Sequence, residues 1–208
     1  MTDPGADGDR EAEAADEVPT HRRTIDVEVF ERQGDFVVVG RLADDRPWAA
    51  GSDRVEHVHD MELSVTVRRP DLVITEARAV MRRFPHAECP GIEAAFGGLV
   101  GLSVARGYTR AVQERFGRAL GCTHLEFLAR AIGPVVVQAL PSSAARTRAG
   151  VLAEPTRAET GTAWLADTCH VWAVGGAGEQ KLALGWRPGN GPYPAPSLVE
   201  LRRPAAPD

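Results

Sequence analysis

Four strand-like runs lie between positions 24 and 81, the first and third with apolar and polar side chains in strict alternation, and no other feature constrains the fold as strongly. In Thr24–Phe30, Ile25, Val27 and Val29 share one face while Asp26 and Glu28 take the other, as in a half-buried strand. A turn at Gln33-Gly34-Asp35 leads into a second run, Phe36–Leu42. The stretch Asp44–Gly51, with Pro47, reads as a loop. Met61, Leu63, Val65 and Val67 then alternate with Glu62, Ser64 and Thr66, and after Arg69-Pro70-Asp71 a fourth run spans Leu72–Met81. The links are too short for the crossovers that parallel strands require, so the pattern predicts an antiparallel meander.

Helical spacing follows. Ile92, Phe96 and Leu99 predict a short helix ending near Gly101, and Tyr108, Val112 and Phe116 a second one between Gly107 and Gly117. Leu125, Leu128, Ile132, Val135 and Val136 form the apolar stripe of a longer helix, kinked at Pro134 and ending near Leu140, before Pro141. The expected fold class is therefore α+β, a small antiparallel meander covered by about three helices. Composition divides the chain into a disordered acidic tail (1–19), an α+β core (20–141), a linker or weak helix (142–162), an ordered segment with Trp164 and Trp172 (163–187) and a loose Pro-rich tail (188–208).

Charge and cysteine usage exclude several functions. The net charge is −5, but residues 1–18 hold seven Asp or Glu and one Arg, which leaves the rest of the chain near +1. A nearly neutral body without a basic stripe argues against nucleic acid as a partner. No stretch approaches the roughly 20 apolar residues of a membrane helix. An odd set of three cysteines is no disulfide framework and fits a reducing cytoplasm.

The chemistry-bearing groups sit at element ends, where functional residues concentrate. In Gly121-Cys122-Thr123-His124-Leu125, the Thr123-x-x-Glu126 spacing of a capping box starts the long helix. Cys122 then lies at the helix N-terminus, whose amides and dipole favour the thiolate. His59-Asp60 precedes the third strand, and Cys89 lies in the loop after the fourth. Asp60, Cys89 and Cys122, with a histidine, make a mixed oxygen, sulfur and nitrogen set suited to zinc or iron. Without a metal, Cys122 is the nucleophile and His124 or His59 the proton carrier. Arg22, in His21-Arg22-Arg23, is the candidate anchor for a substrate anion. The structural alternatives are cysteines as small buried hydrophobes, Asp60 in a turn, His124 facing solvent and His170, beside Cys169, as a packing residue.

With those residues in view, the chain resembles the bacterial family known as domain of unknown function 2889, from about His21 to Trp172. The resemblance is carried by His21-Arg22-Arg23, His59-Asp60-Met61, Cys89-Pro90-Gly91-Ile92, Leu99-Val100-Gly101-Leu102 and Gly121-Cys122-Thr123-His124-Leu125. A fainter similarity reaches the iron-sulfur scaffold proteins of the NifU and IscU type, through Asp60-Met61-Glu62-Leu63, Val73–Arg78, Cys89 and Cys122. That second resemblance implies a small antiparallel sheet under helices, with Asp60, Cys89 and Cys122 around zinc or an iron-sulfur centre.

Together these observations predict a small cytoplasmic enzyme with a Cys/His/Asp centre, with or without zinc or iron, for lyase, isomerase or hydrolase chemistry on a small acidic or aromatic metabolite. The alternatives are a metal or iron-sulfur carrier that depends on protein partners, and a binding module whose three cysteines are core residues.

Overall fold

The computed structural model describes residues 19–48, 56–148, 166–187 and 194–203. These fall into two units, divided between Gln138 and Ala139.

In the first unit, β1 (Arg22–Arg32), β2 (Asp35–Arg46), β3 (Glu56–Arg68) and β4 (Val73–Arg83) form one sheet in the order β1-β2-β3-β4. Every neighbouring pair is antiparallel, as the short links require. The β1–β2 turn places Gln33 and Gly34 at φ 51° and 93°, the two left-handed positions of a hairpin turn whose twist matches its strands. One face of the sheet is apolar and buried: Phe36, Val38 and Leu42 of β2, Met61, Leu63, Val65 and Val67 of β3, and Ile74 and Met81 of β4. The other carries ion pairs, with Arg82 bound to Glu62 at 2.7 Å and Arg41 to the same Glu62 at 3.4 Å.

Helical segments cover the apolar face. A 3-10 helix, Cys89–Leu99, buries Phe96 and Leu99, and its Glu93 side chain accepts the Met81 amide at 2.6 Å beside a bulge in the β3–β4 pairing. Helix α1 (Tyr108–Phe116) starts after Gly107 and stops at Gly117, with Phe116 stacked on Phe96 at 4.6 Å. Helix α2 (Thr123–Arg148) buries Leu125, Leu128, Ile132 and Val136.

Three local expectations shift. Strand β2 continues through Asp44 to Arg46, where a loop was expected, because β1 and β3 pair with it on both sides. Helix α2 passes Pro141, which deletes one amide donor without ending the helix. Within the expected loose tail, Leu198–Arg202 is helical, started by a capping box between Ser197 and Glu200 that the sequence contains.

The second unit holds a 3-10 turn (His170–Trp172), α3 (Ala177–Ala183) and α4 (Leu198–Arg202). The Trp172 ring lies against Gly178, where any side chain would collide with it, and Arg202 donates to Gln180 at 3.0 Å. Residues 1–18 of the expected tail, 149–162 of the expected linker, Trp164 and parts of the C-terminal segment lie outside the described residues.

Candidate functional site

The period of two that buries Phe36, Val38 and Leu42 also carries Asp44 onto the helix-covered face, at the end of β2. Register places Arg23 of β1 opposite Asp44 on one side and His59 of β3 opposite it on the other. The three form one cross-strand row. Asp44 is 1% exposed, and Arg23 grips both its oxygens, Nε on Oδ1 and Nη2 on Oδ2, each at 2.7 Å. Such a two-point pairing is the strong form of a charge-assisted bond. His59 Nδ1 lies 3.1 Å from Oδ2, and His21 Nε2, two residues before Arg23, lies 3.3 Å from Oδ1.

Helix α2 supplies the remaining groups. A side chain at Gly40 would come 3.0 Å from Leu128 Cδ1, so its absence lets Leu128 and Ile132 close onto β2. Gly40 and Asp44 share a face of the strand, and Leu128 and His124 lie one turn apart on the helix, so this close approach delivers His124 over Asp44. His124 Nε2 is 3.3 Å from Asp44 Oδ2, and its ring lies 3.8 Å from that of His59, tilted by 33°. The other imidazole nitrogen, Nδ1, is 3.7 Å from Cys122 Sγ. The first backbone bond of the helix runs from the Glu126 amide to the Cys122 carbonyl, which puts Cys122 at the N-cap and Thr123 one place inside it.

Burial disfavours the charge on Asp44, but the Arg23 hydrogen bonds and charge outweigh it and hold the carboxyl at about 2, below its ordinary 3.8. Burial, then the neighbouring His59, pushes the His124 imidazole below its ordinary 6.5, against the opposing pull of Asp44. His124 is thus neutral at pH 7 and has one nitrogen free to accept a proton.

The structure brings together His59, His124 and Cys122 of the residues singled out in the sequence. Asp60 does not join them. It sits one residue beyond His59, on the opposite face, where its carboxylate lies 3.9 Å from Arg82. Arg22 is exposed and is separated from Arg23 by the same alternation. Cys89 opens the 3-10 helix, half-buried, and Cys169 and His170 belong to the second unit. Among the described residues, the ligand-type side chains that converge are Asp44, His59 and His124, whose donor atoms all lie within 4.8 Å of one another, while Asp60, Cys89 and Cys122 form no such group. Asp44 was absent from the candidates chosen on sequence, and within the cationic group His21-Arg22-Arg23 the choice fell on Arg22, whereas it is Arg23 and His21 that reach Asp44. The signal for Asp44 was its place two residues after Leu42, on the same face of the strand if β2 runs on past Leu42.

A four-stranded antiparallel sheet under helices, closed at one end by a buried carboxylate, two imidazoles and a thiol, defines an α+β protein with a Cys/His/Asp cluster. The chain belongs to the family described as protein of unknown function DUF2889, whose model matches residues 21–138. That span begins at His21, contains the whole cluster and ends at the boundary of the first unit. No curated protein and no solved structure matches the chain, so the similarity to iron-sulfur scaffold proteins finds no support.

Proposed function

We propose that the protein is a small enzyme in which Cys122 is the nucleophile, His124 its base and Asp44 the group that orients the base. The observation that carries this reading is the two-sided contact of His124, with Nδ1 3.7 Å from Cys122 Sγ and Nε2 3.3 Å from Asp44 Oδ2. An ionised carboxylate at Nε2 keeps the imidazole proton on that nitrogen and leaves Nδ1 open to the thiol proton. Nucleophile, base and orienting acid are thereby in line, the arrangement that activates a thiol.

The chemistry that suits this line is acyl transfer to water on a small carbonyl compound. Cys122 sulfur attacks the carbonyl carbon as its proton passes to His124 Nδ1. His124 returns the proton to the leaving group, and water then cleaves the thioester. Arg23 serves the centre by fixing Asp44, and its guanidinium also lies 5.9 Å from the ring centre of Phe127, which is 40% exposed. An exposed aromatic ring beside the centre offers a stacking face for a small aromatic substrate. The free state of Cys89, Cys122 and Cys169 is in keeping with a reducing cytoplasm, and none of the described helices is long and apolar enough to cross a membrane.

The test is acylation by a panel of p-nitrophenyl esters, with the adduct located by peptide mass analysis. A covalent adduct confined to Cys122, formed at least tenfold more slowly in His124→Ala, is expected. Equal labelling of exposed Cys169 and Cys122, unaffected by His124, would sink the proposal.

A further inference from the structure

We infer that Asp44, His59 and His124 form a binding site for one first-row divalent ion of the zinc class, and that occupancy of this site and activation of Cys122 exclude one another. The inference rests on the reading of Cys122, His124 and Asp44 as the reactive line.

The first support is the spacing of the donor atoms. Asp44 Oδ2 lies 3.1 Å from His59 Nδ1 and 3.3 Å from His124 Nε2, and all three atoms fall within 4.8 Å of one another. Ligands bound at about 2.0–2.1 Å around a tetrahedral zinc ion are themselves about 3.3 Å apart. The donors come from β2, β3 and α2, so the packing of the helix on the sheet sets the spacing. Two imidazoles and a carboxylate are a donor set that zinc and iron(II) accept, with positions left for water.

The second support is crowding at one oxygen. Three nitrogens approach Asp44 Oδ2: Arg23 Nη2 at 2.7 Å, His59 Nδ1 at 3.1 Å and His124 Nε2 at 3.3 Å. A carboxylate oxygen offers about two acceptor sites. Arg23 and one imidazole fill them, so the second imidazole nitrogen competes for an oxygen that is already taken. A cation at that point takes a lone pair from each imidazole and one from the carboxylate. Arg23 then acts as the outer partner that holds Asp44, and Cys122 as the outer partner of His124.

The exclusion follows from proton positions. A neutral imidazole bound to a metal through Nε2 carries its proton on Nδ1. That nitrogen faces Cys122 and can no longer accept the thiol proton. The ion therefore holds the centre in an inactive form until it is removed.

The experiment uses the full chain stripped with EDTA, titrated with zinc chloride against a chromophoric chelator, and follows iodoacetamide alkylation of each cysteine by peptide mass analysis. One zinc per chain is expected, with affinity at least 100-fold weaker in His59→Gln and in Asp44→Asn but little changed in Cys122→Ser. Zinc should slow Cys122 alkylation at least tenfold in wild type and not in His59→Gln, with Cys89 and Cys169 as internal references. Zinc affinity equal in wild type and both ligand variants overturns the site. Loss of binding in Cys122→Ser overturns the ligand assignment, and undiminished Cys122 alkylation in the zinc-loaded protein overturns the exclusion. The rate of Cys122 alkylation in metal-free His124→Ala, compared with metal-free wild type, reports separately on the thiol reading.

Discussion

Asp44 is the residue on which the cluster depends, because it is the anion that two imidazoles, a half-exposed histidine and Arg23 all face. Its folded pKa of about 2 lies below the ordinary 3.8, so its contribution to stability is fully present above about pH 4 and is lost as pH falls through about 2. The shift corresponds to about 2 kcal/mol. Asp44→Asn also leaves the Arg23 guanidinium without its anion, a further cost. For metal-free protein, urea unfolding should therefore show a gap between wild type and Asp44→Asn that holds above about pH 4 and shrinks as pH falls toward 2; a gap of the same size at pH 2 and pH 7 contradicts this. Cys122, His124 and His59 were legible in the sequence because reactive side chains at element ends are few. Asp44 was not, because Pro47 and the acidic pair Asp44-Asp45 resemble a loop, and only pairing on both sides extends β2 through them. Arg22 and Arg23 differ by one step of the pleat, and composition does not say which of them faces inward.

At the scale of elements, two glycines set how closely helix α2 approaches its neighbours. A Cβ at Gly133 would lie 2.6 Å from Tyr108 Cδ1, well inside contact distance. Gly133→Ala should cost about 1–3 kcal/mol by overpacking, read as a lowered denaturant midpoint. Tyr108 offers the opposite case. Its ring is buried and its hydroxyl has no hydrogen-bond partner among the described residues. Removing an unsatisfied buried hydroxyl relieves a desolvation cost of about 1–3 kcal/mol, so Tyr108→Phe should raise stability or leave it unchanged. A loss above about 1 kcal/mol would show that the hydroxyl has a partner. Strands and helices were legible at this scale because their periods of two and 3.6 are local properties of the chain. The end of α2 was not, since a proline inside a helix removes a single donor and the residues beyond Pro141 keep their own bonds. The 3-10 character of Cys89–Leu99 likewise has no counterpart in the spacing of Ile92, Phe96 and Leu99.

For the whole molecule, the family match over residues 21–138 lies within the first unit, ends with it at Gln138 and includes every member of the cluster. The α+β class was legible because four strands with short links leave little choice of topology. The site was only half legible, since Arg23, Asp44, His59 and His124 are 15 to 101 residues apart and meet only through strand register and the seating of one helix. The acidic residues at positions 1–18 account for the net charge of −5, while the first unit holds its reactive groups around a single neutralised carboxylate. The measurement that bears most directly on the thiol line is the rate of Cys122 alkylation by iodoacetamide in metal-free protein at pH 7, resolved by peptide and compared among wild type, His124→Ala and Asp44→Asn. Cys122 should react faster than the more exposed Cys169 in wild type and at least tenfold more slowly in His124→Ala, with Asp44→Asn between them. Equal rates at Cys122 in all three proteins would contradict a thiol activated by His124 and Asp44.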